Sequence, residues 1–272
     1  MNLNKEGSSI ERLSPLESEI LLSLMEGRKS LSDLRASIKA RDTSILHALK
    51  KLDNKRAIYK DTIKHSYSLT NIGHICSIML NQFSKTSDVL MEMKDYWINH
   101  DLSGIPEHLL LRIGALSNLT VVKDTPSDLD AVHRRYLDSL KGSEWVYGVS
   151  PVFHSDFAGA IMKILGKGGK VKFVFTKEVL DRTRETIRIK ELAKYVKRIL
   201  IDRNLEIFIG NNLKVGLTVT DKFLSFGLFT LDGAYDYSAD LMGSHSQALE
   251  WGEELFEYYR ENSEKIRLSN IF

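Results

Sequence analysis

Five polar side chains share one side of a short amphipathic stretch. At 100° per residue, Thr43, Ser44, His47, Lys50 and Lys51 fall within an arc of about 120°, while Ile45, Ala48, Leu49 and Leu52 occupy the opposite side. Hydroxyls and an imidazole near a helix start can hydrogen-bond the edges of base pairs, and ammonium groups further along can neutralise phosphates. Arg41 adds a cation just ahead of the stretch. Two β-prone runs follow, Ala57-Ile58-Tyr59-Lys60 and Ser66-Tyr67-Ser68-Leu69, around a polar tip. A hairpin there can lay Lys60, Lys64 and His65 along the neighbouring backbone or minor groove. These nine residues are the candidate contacts to double-stranded DNA.

A second set points to a small-molecule pocket. Trp145, Tyr147, Ser150 and His154 lie on a β-prone run and the loop after it, Asp221 and Lys222 at a turn between two such runs, and Asp236 in a further loop. Aromatic faces, a hydroxyl, an imidazole, carboxylates and an ammonium at strand ends are the groups that bind ligands in α/β sheets, and a helix start at Ser155-Asp156 favours anions. The alternative is that these are turns, with Ser155 or Asp156 only capping a helix. His133, His154 and His245 are far apart in sequence, so only the fold decides whether they meet. A Gly-rich phosphate loop, a metal-ligand cluster and a Gly-x-Ser-x-Gly elbow are not found. No catalytic residue, metal ligand or cofactor is therefore assigned.

The elements that must hold the first set are legible from caps and periodicity. Ser14-Pro15-Leu16-Glu17 opens a helix through Ile20, Leu21, Leu24 and Met25 to Gly27. A second helix begins near Ser30 and buries Leu31, Leu34 and Ile38, and Asp42 can cap the third, from Thr43 to Asn54. Thr70 can cap a long helix through Trp97. In it Cys76, Met79, Phe83, Thr86, Leu90, Met93 and Trp97 alternate at spacings of three and four, an a/d seam. Either Met79, Phe83, Leu90, Met93 and Trp97 pair with a second copy, or the helix packs on its own C-terminal domain. Cys76, the single cysteine, reads as core.

Beyond residue 101 the pattern alternates. Strands are expected at 119–122, 145–149, 171–175, 205–209, 214–220 and 223–229, and helices at 127–140, 155–166, 178–184, 188–201 and 246–262, with a turn at Gly168-Gly169. The last three strands are expected to form an antiparallel section.

The whole chain sets limits on these readings. Its 272 residues suffice for two domains, and no apolar run is long enough to span a membrane. One cysteine and no secretory h-region fit a cytoplasmic protein. Residues 1–85 carry 14 Lys/Arg against 9 Asp/Glu, while 86–272 carry 24 against 27. A basic first third on a slightly acidic remainder suits a nucleic-acid module joined to something that does not bind nucleic acid.

Residues 14–73 resemble the winged helix-turn-helix of archaeal and bacterial regulators of the arsenic-repressor type. The residues that carry this are Asp42-Thr43-Ser44-Ile45-Leu46-His47-Ala48-Leu49-Lys50-Lys51-Leu52 and the Y-x-L-T-x-x-G run Tyr67-Ser68-Leu69-Thr70-Asn71-Ile72-Gly73. Metal-sensing members carry a cysteine pair that this chain lacks, so the resemblance implies no metal sensing by that route. His100-Asp101-Leu102-Ser103-Gly104-Ile105-Pro106, Leu111-Arg112-Ile113-Gly114-Ala115-Leu116 and Ala248-Leu249-Glu250-Trp251-Gly252-Glu253-Glu254-Leu255-Phe256 are similar to the middle domain of archaeal methanogenesis regulators of the Fil type. That resemblance implies a transcription regulator of methanogenic archaea. The domain is also distantly similar to the phospholipase D fold. Where that family carries H-x-K-x-x-x-x-D this chain has Lys214, Gly216 and Asp221, which lacks the nucleophilic histidine.

The expected fold is therefore α/β plus mainly-α. A flexible N-terminus (1–13) leads into a winged helix-turn-helix (14–73), a connecting or dimerising helix (74–100) and a C-terminal α/β domain (101–272), distantly phospholipase-D-like. The expected function is DNA-binding transcription regulation by a homodimer under an unidentified small-molecule or protein effector, with no membrane partner. The alternative is an α/β hydrolase or phosphodiesterase-like enzyme fused to a DNA-binding module.

Overall fold

A computed structural model describes residues 13–186 and 204–267 of the chain. The N-terminal lead-in, the helix expected over 188–201 and the side chains of Ser155 and Asp156 lie outside what is described. Two units are formed, residues 1–85 and 86–272.

In the first unit, the Ser14–Glu17 capping box opens α1 (Pro15–Leu24), with Ser14 N donating to Glu17 Oε2 at 2.7 Å. Gly27 ends the turn after α1 at φ +133°, where a Cβ is disfavoured. A short strand β1 (Lys29–Ser30) leads into α2 (Leu31–Ser37), which has its own box formed by Ser30 and Asp33. The third helix, α3, spans Asp42–Asn54. Asp42 is not its cap: Arg41 holds that position without a side-chain hydrogen bond, and Asp42 is the first helical residue and pairs with Arg35 at 3.2 Å. β2 (Ile58–Asp61) and β3 (Ser66–Leu69) form the expected hairpin, and β1 pairs with β3 to complete a three-stranded sheet. Ile20, Leu21, Leu34, Ile45, Leu52 and Ile58 are buried together. Glu17 is buried among them and is balanced by Lys55 at 3.3 Å.

The glycine of the Y-x-L-T-x-x-G run has a steric cause. α4 spans Asn71–Glu92, and Thr70 Oγ1 at its start donates to the carbonyls of Arg56 and Ala57 and accepts from Gly73 N. A Cβ on Gly73 would land on the Ala57 carbonyl oxygen, which is backbone and cannot swing away. Gly73→Ala is expected to cost about 1–3 kcal/mol, as overpacking does. A urea titration of the full chain reads it, and an unshifted midpoint would rule out this contact.

The long helix differs from its expected course. It ends at Glu92, and Met93 takes φ −113° and ψ 31° before α5 (Lys94–Asn99). The a/d seam is therefore not continuous. Cys76 is in the core of the first unit, while Met93 and Trp97 are in the core of the second, where Trp97 Nε1 donates to the Val89 carbonyl at 3.1 Å. Met79, Phe83 and Leu90 remain exposed.

The second unit continues with β4 (His100–Asp101), α6 (Glu107–Leu110), a 3-10 turn (Ile113–Leu116), β5 (Thr120–Lys123), α7 (Ala131–Leu140), β6 (Trp145–Ser150), α8 (Ser155–Gly166), β7 (Lys170–Phe175) and α9 (Lys177–Thr186). After the undescribed segment come β8 (Leu205–Ile209), β9 (Val215–Thr220), β10 (Leu224–Thr230), β11 (Ala239–Gly243), α10 (Ser246–Glu261) and β12 (Glu264–Lys265). They build a nine-stranded sheet of order β12-β8-β7-β6-β9-β10-β11-β5, with β4 also on β10. β8 does not join the antiparallel section as expected. It extends the parallel set β6-β7-β8, and β9, β10, β11 and β5 form the antiparallel half.

Strand alternation gives the sheet two faces. Val215, Leu217 and Val219 of β9 share one with Trp251, Leu255 and Phe256 of α10. On the other, Val146, Phe173 and Met242 meet Val132 and Tyr136 of α7, Ile164 of α8 and Val179 of α9.

Candidate nucleic-acid interface and effector cavity

On α3, the side chains of Ile45, Ala48, Leu49 and Leu52 are buried, which fixes the helix's rotation. Thr43, Ser44, His47, Lys50 and Lys51 are consequently exposed, as is Arg41. Lys60, Lys64 and His65 are exposed on the hairpin, with Lys60 Nζ 5.9 Å from the Tyr67 ring centroid. The hairpin tip is preset rather than loose. Asp61 Oδ1 accepts from the backbone N–H groups of Ile63 and Lys64, both at 3.0 Å, and His65 takes φ +48°. The Lys64 backbone N–H holds the Asp61 carboxyl below its ordinary value. Tyr59 and Ile63 are also exposed on this hairpin. Alternation with buried Ile58 was the signal available for Tyr59.

In the second unit a cavity of about 570 Å³ opens between the sheet and α7, α8 and α9. Ser150, His154 and Asp236 line it. Trp145, Tyr147, Asp221 and Lys222 do not, so the expected convergence is only partial. The reason is parity and register. Trp145 and Tyr147 are one residue out of phase with Ser150 and point to the opposite face, where Tyr147 stacks on Phe256 at 5.1 Å. β9 runs antiparallel to β6 with Val146 opposite Thr220, which puts Asp221 and Lys222 at the far end of β6 from Ser150. There Asp221 Oδ1 accepts from Glu144 N at 2.9 Å, and Lys222 Nζ donates to the Gly142 carbonyl.

The cavity's buried end holds Tyr235, from the same expected loop as Asp236, and groups outside the sequence-based expectation: Asp240, Ser225, Tyr136 and Thr218. Asp240 Oδ2 accepts from Ser225 Oγ at 2.6 Å. Burial, reinforced by Asp236, pushes its carboxyl up to about 7. Tyr136 Oη and Thr218 Oγ1 lie 3.0 Å apart, and burial raises the phenol well above its ordinary value. Asp236 also meets His100 Nε2 at 3.1 Å. His133 and His154 do come together, with ring centroids 4.0 Å apart, and Phe157 stacks on both. His245 precedes α10 and is not in the cavity. Lys214 is engaged by Asp101 Oδ2 at 3.0 Å and Ser103 Oγ at 2.9 Å. Hydrogen bonds from Ser103, then from Lys214, hold Asp101 down to about 2.

Tyr136, Thr218 and Ser225 stand on expected elements, but Asp240 does not. Asp240 sits on β11, a strand that periodicity does not reveal, and Ala239-Asp240-Leu241-Met242 carries its one charge in an otherwise apolar run. A carboxylate inside such a run is the signal that could have found it. Among the described residues no group of three or more His, Cys, Asp or Glu could hold a metal, and no helix is long and apolar enough to cross a membrane.

Two family descriptions match the chain: "Methanogenesis regulatory protein FilR1, N-terminal domain" over residues 12–88, and "Methanogenesis regulatory protein FilR1, middle domain" over 129–262. The chain belongs to the FilR1 family. This FilR1-family chain is 30% identical over 256 residues to the methanogenesis regulatory protein FilR1 of Methanothrix harundinacea (strain 6Ac), which covers 93% of this chain and 56% of that protein. It thus spans a little over half the length of the curated relative it matches. Among solved structures, the archaeal chromatin protein TrmBL2, described as showing a novel mode of DNA binding, aligns at 17% identity and TM-score 0.42 over 93% of this chain and 94% of that one. The phospholipase D family member Nuc from Salmonella typhimurium aligns at 12% identity and TM-score 0.39 over 55% and 98%.

Proposed function

We propose that the chain is a sequence-specific, DNA-binding transcriptional regulator, acting in the cytoplasm as a homodimer under the control of a small molecule held in the C-terminal cavity. The observation that carries the first part is the exposed ridge of α3. Hydroxyls at Thr43 and Ser44, the His47 imidazole and the Lys50 and Lys51 ammonium groups stand on a helix whose other side is locked in the core. Membership of a family whose named member is a regulatory protein supports the same reading. Fluorescence anisotropy with labelled duplexes at low ionic strength tests it. Saturable binding is expected, and indifference to every duplex offered rules it out. Selection of bound genomic fragments then identifies the operator.

Self-association is supported by an apolar stripe within the first unit. Ile72, Ile75, Met79 and Phe83 fall within an arc of about 80° on α4 and are 44%, 59%, 67% and 73% exposed. Four large exposed side chains in one row suit a partner surface, and self-pairing would present two recognition helices to a two-fold DNA site. Leu90, in the second unit, is exposed as well. Light scattering on the eluted protein at micromolar concentration should give the dimer mass, and Met79→Glu with Phe83→Glu the monomer mass. A wild-type monomer at that concentration sinks the pairing.

The enzyme alternative draws on one observation, the His133–His154 contact in the cavity. Phosphodiester turnover by the purified chain that disappears in His133→Ala would favour it.

A further inference from the structure

The buried end of the cavity is chemically one-sided. Asp240 Oδ2 is satisfied by Ser225, but among the described residues no hydrogen bond reaches Asp240 Oδ1 or Tyr235 Oη, and no cation pairs with Asp240. Both oxygens face the same spot. A Cβ built on Gly227 would collide with Asp240 Oδ1 and with Tyr235 Oη alike, so the two lie within a few ångströms of each other over a glycine that leaves them room. Asp240 is 9% exposed and lines the cavity. Much of the remaining lining is apolar, with Val149, Phe153, Phe157, Ile161, Phe173 and Phe175.

An acceptor-only carboxylate and a phenol oxygen at the end of an apolar cavity complement a donor with several N–H bonds. We propose that the cavity binds a primary amine on an aromatic or branched apolar body, its ammonium seated between Asp240 and Tyr235 and its body against the phenylalanines. This deepens, and rests on, the reading of the cavity as the effector site. The volume of about 570 Å³ suits a small organic molecule rather than a peptide or polymer. The other charged groups lining the cavity do not oppose an amine. Arg134 is paired with Asp128 at 2.5 Å, and Asp124 and Asp130 line the same region with His133 and His154.

Binding of the ammonium requires the ionised carboxylate. The titratable groups packed around Asp240 are Asp236 from the loop before β11, Tyr96 from α5, Tyr136 from α7 and Tyr235, with His100 behind Asp236. All three phenols are raised by burial and stay neutral near pH 7, so among these acids Asp240 is the one whose charge changes there. Affinity for an amine should therefore fall about tenfold per pH unit below 7 and level off above it.

Calorimetry of the full chain with 4-phenylbutylamine, 4-phenylbutanol and 4-phenylbutyrate at pH 6 and pH 8 decides the matter. The amine should bind at pH 8, about tenfold weaker at pH 6, and at least tenfold tighter than either analogue. Asp240→Asn should remove its binding and the pH dependence together. Should that variant not fold, Tyr235→Phe, which deletes one acceptor, should weaken the amine about tenfold and leave the alcohol unchanged. Tighter binding of the alcohol or the carboxylate, or a pH-independent amine, overturns the amine assignment and leaves the effector site standing. If none of the three binds, the assignment fails. If in addition no compound of a broad metabolite panel shifts the melting temperature, the effector reading fails with it.

Discussion

Lys50→Ala with Lys51→Ala should weaken binding to every duplex by roughly 60-fold at 0.1 M salt, because each lost phosphate contact removes about 0.9 from the slope of log K against log salt. Two contacts then change the slope by about two units, which an anisotropy titration between 50 and 200 mM salt, on the order of that range, resolves readily. Both ammonium groups are exposed, so the unfolding midpoint should stay within about 0.5 kcal/mol of wild type. Thr43→Ala, Ser44→Ala and His47→Ala should behave differently. Their groups suit base edges, so these variants should alter which sequences bind while the salt slope stays put. A double-lysine variant with an unchanged slope would remove α3 from the interface.

The contrast between the two units shows what a sequence makes legible. In the first, the determinants of the α3 ridge are local. Ser14 and Glu17 are three residues apart, the buried side of α3 recurs at helical spacing, and the hairpin joins adjacent segments. The ridge is therefore legible in the residue spacing itself, and only Asp42 falls out of place, one position from the true helix boundary. The second unit is determined at longer range. Asp240 meets Ser225 across fifteen residues, Tyr136 meets Thr218 across 82, and Asp236 meets His100 across 136. No spacing rule couples such positions. Parity alone separates Trp145 and Tyr147 from Ser150, since a strand sends neighbours to opposite faces. Which face carries the cavity depends on the helices that cover it, and that is a property of the whole sheet. The apparent heptad fails for a related reason: spacing alone does not say whether an apolar residue is core, as Cys76, Met93 and Trp97 are, or exposed, as Met79 and Phe83 are.

Asp240→Asn in the ligand-free protein should stabilise the fold at pH 8, by at most about 4 kcal/mol, and leave it unchanged at pH 4. The sign follows from linkage. Burial raises the folded carboxyl to about 7, against about 3.9 in the unfolded chain. The folded state therefore holds the proton more tightly, and wild-type stability falls as pH rises from about 4 to about 7 and is flat beyond, at about 1.36 kcal/mol per unit. Asparagine carries no such cost and can still accept from Ser225 Oγ. Urea midpoints of the two proteins should thus diverge through that window and run parallel above it. Parallel curves throughout would mean that Asp240 is solvated in the folded state, and the charge in the cavity would lose its significance. Divergence would mean that the fold is weaker for keeping this acid at neutral pH. A charge held at that cost to stability is best accounted for by what enters the cavity, where an ionised carboxylate with a free oxygen does what an amide cannot.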